Sequence, residues 1–237
     1  MPPMRLMATA IVALAGGFAG AGLWDFSGLG GRATQDYLMA NPEVLPAAMD
    51  VLHAREMAAK IEPMRGELEQ PFPGAVLGNP QGTVTLVEFT DYACGYCRQS
   101  IPDLTALIAE NPQLRVVIRE YPILSAGSAD AARMALAAAA QGRFSQFHAA
   151  MFALDGPSPA NIDAAAHTAG VDLVAARAAI AHGDYEGQLQ NNVFLAQNLG
   201  ISGTPGWVVG NSVLDGAVGK VKIAEAIAQA GDRVSDS

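Results

Sequence analysis

The chain holds two cysteines in all, and two residues separate them: Cys94-Gly95-Tyr96-Cys97. A thiol pair at that spacing, where a strand gives way to a helix, is first of all a redox device. The preceding Thr83-Val84-Thr85-Leu86-Val87-Glu88-Phe89 is β-branched and apolar with no breaker, and reads as a buried strand. From Arg98 to Glu110, Ile101, Leu104, Leu107 and Ile108 recur at helical spacing. Cys94 therefore falls at a helix N-terminus, where free backbone N–H groups and the positive dipole end favour a thiolate. Cys97 falls one turn further in and is expected to be the more buried. The outer sulfur is then the attacking or attacked one, and Cys97 resolves the mixed disulfide.

Other uses of the pair fit less well. A structural zinc site needs about four ligands, and His53, His148, His167 and His182 form no close pair, so no metal is expected. They read as helix-surface or insert residues, with His148 able to approach the active site. A purely structural bridge closing so short a loop gains little entropy. No cofactor is expected, because the thiols carry the electrons themselves. The formal charge of −9, with no basic cluster, argues against nucleic acid as a partner.

The first 21 residues carry one charge, Arg5, before an apolar run that reaches Leu23 and includes Ala19-Gly20-Ala21. That pattern reads as a secretory signal peptide cleaved after Ala21, with an uncleaved anchor as the alternative. Either way the rest is expected outside the cytoplasm, where a dithiol can work as an oxidant. Residues 22–74 read as an N-terminal arm and linker. Trp24 to Ala33 is Gly-rich and expected to be loose. Gln35 to Arg65 reads as helical, with Asn41-Pro42-Glu43 as a helix start and Leu45, Met49 and Leu52 as an apolar stripe. The stripe pairs with copies of itself, docks on its own domain, or belongs to a floppy arm. Glu62 to Gly82, with four prolines, reads as a linker or peripheral extended segment.

The catalytic unit is expected in two parts, 75–124 and 201–237, around a helical insertion over 125–200. Leu114 to Arg119 is a second strand, parallel to the first because a helix lies between them. Five short helices then follow, starting near Ser128, Phe144, Pro159, Asp172 and Tyr185. Gly206 to Val209 and Ser212 to Leu214 form a hairpin around Gly210-Asn211, and Val218 to Ala230 is a closing helix. This α/β order is the thioredoxin arrangement with an inserted all-helical domain, preceded by a helical arm. In that fold the loop at Thr204-Pro205 faces the cysteines and the X-Pro bond is cis, offering the Thr204 backbone to an extended substrate. An ordinary trans turn is the alternative. Glu88 interrupts an apolar strand six residues before Cys94. It lies either on an exposed face or buried beneath the cysteines, where it would exchange a proton with Cys97.

The run Val87 to Cys97, followed by a helical insert and Gly203-Thr204-Pro205, resembles the DsbA family of periplasmic thiol-disulfide oxidoreductases, from about Val76 to the C-terminus. The resemblance implies that Cys94 is the nucleophile and Cys97 the resolving cysteine, the two forming the redox disulfide. It also implies that Pro205 is the cis-proline and Glu88 the buried acid, with Thr204 and Tyr96 facing substrate. DsbA itself has Pro-His between its cysteines and Val before the cis-proline. Gly95-Tyr96 with Thr204-Pro205 resembles the disulfide isomerases instead, and Gln35 to Arg65 resembles the oligomerising arm of the ScsC-like branch. The implied function is thiol-disulfide exchange on unfolded or misfolded secreted proteins, recharged by a membrane redox partner, in a possible homo-oligomer. The alternatives are isomerase or reductase work as the main role, or a chaperone-like peptide binder with incidental redox activity.

Overall fold

The structure is a computed structural model and describes residues 29–235. The expected signal peptide lies outside them. Among the described residues no helix is long and apolar enough to cross a membrane. They divide into two units between His53 and Ala54.

In the first unit, helix α1 (Leu29–Ala40) starts earlier than expected, inside the Gly-rich stretch. Asn41 does not cap the next helix with its side chain; its amide donates to the Tyr37 carbonyl (2.9 Å) and closes α1. Helix α2 (Val44–Ile61) follows a turn over Pro42 and Glu43, and its residues from Ala54 onward belong to the second unit. Tyr37, Met39, Leu45, Met49 and Leu52 are all exposed.

The second unit begins earlier than the expected boundary at residue 75, because the proline-rich segment is held to the domain. After a 3-10 turn, the short helix α3 (Arg65–Glu69) buries Leu68, and Ile61 is buried before it. Arg119 fixes this stretch from below. Its guanidinium donates to the carbonyls of Glu67, Leu68 and Gln70 and to Asn192 Oδ1 (3.1 Å), taking up the free carbonyls at the end of α3. Burial pulls the Arg119 pKa down to about 10, which still leaves it charged at neutral pH.

The sheet has the order β1-β3-β2-β4-β5, from β1 (Val76–Gly78), β2 (Val84–Thr90), β3 (Leu114–Glu120), β4 (Gly206–Val209) and β5 (Ser212–Asp215). Strands β2 and β3 are parallel, joined through helix α4 (Gly95–Glu110), and the other pairings are antiparallel. Strand β1 has no counterpart in the sequence reading, because a strand of three residues, set between Pro73-Gly74 and Asn79-Pro80, shows no periodicity. Its entry turn needs glycine: Gly74 has φ +88°, and a Cβ there would meet the Ala139 carbonyl oxygen at 2.4 Å.

The insert supplies α5 (Ala126–Ala140), α6 (Phe144–Ala153), α7 (Pro159–Ala169), α8 (Leu173–His182) and α9 (Glu186–Leu199), and α10 (Lys220–Ser235) closes the chain. Ser125, Ser158 and Asp172 cap α5, α7 and α8 through their side-chain oxygens. Two apolar layers flank the sheet. Leu86, Val116, Ile118 and Trp207 face α4, α10 and most of the insert, with Leu104, Leu107, Ala135, Phe147 and Ile223 in one cluster. Val87, Phe89, Val117 and Val208 face the other way, with Ile61, Leu68, Leu195 and Leu199. The insert is therefore not a lid on one side only, since α9 belongs partly to the second layer.

Candidate active site

Cys94 is the N-cap of α4, and its sulfur accepts the Cys97 N–H at 3.4 Å. The same Sγ donates to the Thr204 carbonyl at 3.1 Å. Thr204-Pro205 is a cis peptide bond. The pair and the proline loop, 110 residues apart in the chain, therefore meet. Cys94 and Cys97 are both buried, with no bond between them. Cys94 keeps a small exposed surface and Cys97 keeps none, 5% against 0%. Tyr96 points outward and is 64% exposed.

Glu88 is fully buried, on the face of β2 that also carries Leu86 and Thr90. Of the two placements open to it, the inner one is observed. Neither carboxyl oxygen has a hydrogen-bond partner among the described residues. Burial pushes its pKa up to about 8. Burial also pushes the Cys97 thiol up, and the charge of Glu88 pushes it further. The Thr90 hydroxyl stands close enough to ease both effects without forming a hydrogen bond to either group. A Glu88 carboxylate and a Cys97 thiolate side by side would repel, so at neutral pH the pair keeps at least one of its two protons.

Three further residues belong to this site, and single-sequence reading passed over them. Asp91, buried at 1%, accepts the Ala93 N–H at 2.8 Å with one oxygen. With the other it accepts the N–H groups of Ile123 (2.9 Å) and Leu124 (3.0 Å). It thereby fastens the turn before Cys94 to the loop after β3. Tyr92 and Glu120 are equally buried, and the Tyr92 hydroxyl stands between Glu120 Oε1 (3.0 Å) and His148 Nδ1 (3.1 Å). His148, read as a helix-surface or insert residue able to approach the site, is buried and in hydrogen-bond reach of Tyr92. Among the described residues no cluster of His, Cys, Asp and Glu is arranged to hold a metal ion.

A cysteine pair capping a helix opposite a cis-proline, on a β-α-β/β-β-α sheet with a helical insert, defines a thioredoxin-fold protein. The DSBA-like thioredoxin domain profile matches residues 85–228, more than half of the chain, and the protein belongs to that family. Solved structures agree. A thioredoxin-like oxidoreductase from Silicibacter pomeroyi is 36% identical, with a TM-score of 0.63 over 68% of this chain and 92% of that one. The thiol-disulfide exchange protein α-DsbA2 from Wolbachia pipientis is 26% identical, with a TM-score of 0.67 over 74% and 96%. The catalytic domain of Proteus mirabilis ScsC is 26% identical, with a TM-score of 0.64 over 73% and 97%. The chain spans about a fifth of the length of the curated relatives it matches. One of these, a Na(+)/H(+) antiporter NhaA 3 of Salinispora tropica, is 32% identical over 137 residues, which are 56% of this chain and 21% of that protein.

Proposed function

We propose that the protein catalyses thiol-disulfide exchange on secreted or periplasmic polypeptides, forming or shuffling their disulfide bonds through Cys94 and Cys97. One observation carries this reading: the Cys94 sulfur sits at the mouth of α4 and at 3.1 Å from the backbone carbonyl beside the cis-proline. The sulfur and a free stretch of backbone are thus presented side by side. An extended polypeptide pairing with Thr204 brings its own sulfur into line with Cys94.

When the enzyme acts as an oxidant, a substrate thiolate attacks Cys94 of the Cys94–Cys97 disulfide. The new bond joins the substrate sulfur to Cys94, and Cys97 leaves with the electron pair. Cys97 then takes a proton from Glu88, which the burial of both groups favours. A second substrate thiolate attacks the substrate sulfur of the mixed disulfide, and Cys94 leaves as thiolate. When the enzyme acts as isomerase or reductase, the Cys94 thiolate attacks a substrate disulfide. Either a substrate thiol or Cys97 resolves the intermediate, Cys97 passing its proton to Glu88. Tyr96 and Thr204 line the substrate path. A membrane redox partner restores the working oxidation state, and residues 1–21 direct export to the periplasm.

The dipeptide between the cysteines decides the balance of these roles. Tyr96 carries no positive charge to hold a Cys94 thiolate, so the reduced form gains less and the disulfide is less oxidising. Equilibration with glutathione is expected to give a potential well below the roughly −120 mV of DsbA. A potential as high as that would contradict the isomerase-leaning reading. The exposed stripe of Leu45, Met49 and Leu52 supports self-association through the arm. Oligomers would set several thiols around one substrate. Light scattering is expected to report a multimer that becomes a monomer when residues 35–53, which belong to the first unit, are removed; a monomeric full chain would overturn this part.

A further inference from the structure

We propose that Glu120, Tyr92 and His148 form a second proton path from the cysteine site, leading away from the mouth that a bound polypeptide covers. This rests on the thiol-exchange reading and extends it. The Tyr92 hydroxyl lies 3.0 Å from Glu120 Oε1 and 3.1 Å from His148 Nδ1. All three side chains are at most 2% exposed. Tyr92 is two residues before Cys94, and its ring is fixed by Phe147, His148 and Phe152 at centroid distances of 4.9 to 5.9 Å.

One hydroxyl hydrogen cannot serve both neighbours, so the chain has two complete arrangements. In the first, a protonated Glu120 donates to Tyr92, Tyr92 donates to Nδ1, and His148 carries its hydrogen on Nε2. In the second, Nδ1–H donates to Tyr92, Tyr92 donates to the Glu120 carboxylate, and Nε2 is bare. The two differ by one proton, lost at Nε2 while the acid at the other end ionises. No heavy atom has to move. A purely structural network is normally saturated when buried, yet Glu120 Oε2 and His148 Nε2 have no hydrogen-bond partner among the described residues. Those are the two ends at which a relay must exchange its proton.

The inner end meets the cysteine site. Thr90 stands directly opposite Glu120 in the parallel register, and Glu88 lies two residues earlier on the same face. The Thr90 hydroxyl is unpartnered, and the charge of Glu88 acts on Glu120, Tyr92 and Cys97 alike. At the outer end, His148 borders a cleft of about 230 Å³ between α4, α6 and β1, with Ser145 and Thr105 as its other polar side chains. Burial holds His148 near a pKa of about 3, so it passes protons by exchanging tautomers rather than by holding charge. The titratable groups facing the path are Glu88 from β2, Asp91 and Tyr92 from the turn, Cys94 and Cys97 from α4, Glu120 from β3 and His148 from α6.

The step it serves is balanced. Cys97 loses its proton to Glu88 and attacks Cys94; the Cys94–Cys97 bond forms, and the substrate sulfur leaves with the electron pair. The proton on Glu88 then passes to Glu120, on the same face of the neighbouring strand, and through Tyr92 to His148 and out through the cleft, while the leaving thiolate is protonated by solvent. In the oxidising direction the same path runs inward.

The test compares two thiols. Oxidation of an extended peptide dithiol, which covers the mouth, and of dithiothreitol, which leaves it open, is timed by stopped flow in H₂O and D₂O. Tyr92→Phe is expected to lower the peptide-to-dithiothreitol rate ratio about tenfold and to shrink the solvent isotope effect on the peptide step. His148→Phe, cutting the outer end, is expected to do the same and serves if Tyr92→Phe fails to fold. A structural role would move both rates and the melting temperature together and leave the ratio alone. A ratio within twofold of wild type in the folded variants overturns the relay while leaving thiol exchange intact. A wild-type chain that oxidises neither thiol overturns the relay and the underlying reading together.

Discussion

Replacing Cys94 by serine is expected to bring insulin reduction to the rate of the buffer thiol alone, a loss of at least ~1000-fold. Cys94 is the sulfur at the helix mouth and beside the Thr204 carbonyl, and Cys97 has no exposed surface with which to substitute for it. Cys97→Ser is expected to behave differently. It retains the first half of the reaction and accumulates mixed disulfides that only a second substrate thiol or an external thiol can release. The contrast separates an enzyme from a peptide-binding module. If Cys94→Ser repairs a scrambled substrate as well as the parent does, the chain works by holding polypeptides and its redox chemistry is incidental.

Changing Glu88 to glutamine is expected to make the reduced protein more stable and less active at once. The folded-state pKa of Glu88 is raised to about 8 from an ordinary 4.5, chiefly by burial. The folded chain therefore binds more protons than the unfolded chain between those values, so stability falls as pH rises through that window. Below pH ~4.5 the acid is neutral in both states and costs nothing by this route. Above pH ~8 the penalty is complete, of the order of 4–5 kcal/mol at about 1.4 kcal/mol per pKa unit. Glutamine does not titrate. The stability advantage of Glu88→Gln in urea melts should accordingly open between about pH 4.5 and 8 and then level off. Over the same range the variant has no carboxyl to trade protons with Cys97. Its resolving step is expected to slow by about a hundredfold, at the low end of what positioned acid-base groups contribute. A pH-independent stability difference, or full resolving activity in the variant, would remove Glu88 from the mechanism.

Much of this was legible in the chain. The strand before the cysteines, the helix after them, the five insert helices and the closing hairpin all announce themselves through periodicity, capping Ser and Asp residues and the Gly210-Asn211 turn. The cysteine pair and the proline loop were legible because their chemistry is rare enough to stand out. Illegible were elements that only tertiary packing sustains. Strand β1 is three residues long, and helix α3 is one turn whose carbonyls are taken up by Arg119 from a strand some fifty residues later. The Asn41 side chain closes one helix rather than opening the next because the Tyr37 carbonyl is within its reach. The path through Tyr92, Glu120 and His148 joins a turn, a strand and an insert helix, at separations of 28 and 56 residues. Its one local sign is the pair Arg119-Glu120, two charges closing an apolar strand that buries both.

The most direct test is the rate at which each single-cysteine chain forms a mixed disulfide with a peptide carrying an activated disulfide, followed by intact mass. The Cys97→Ser chain, which keeps Cys94, should be labelled at least ~100-fold faster than the Cys94→Ser chain, which keeps the buried Cys97. Equal rates, or faster labelling through Cys97, would show that the sulfur beside the cis-proline is not the one that meets substrate.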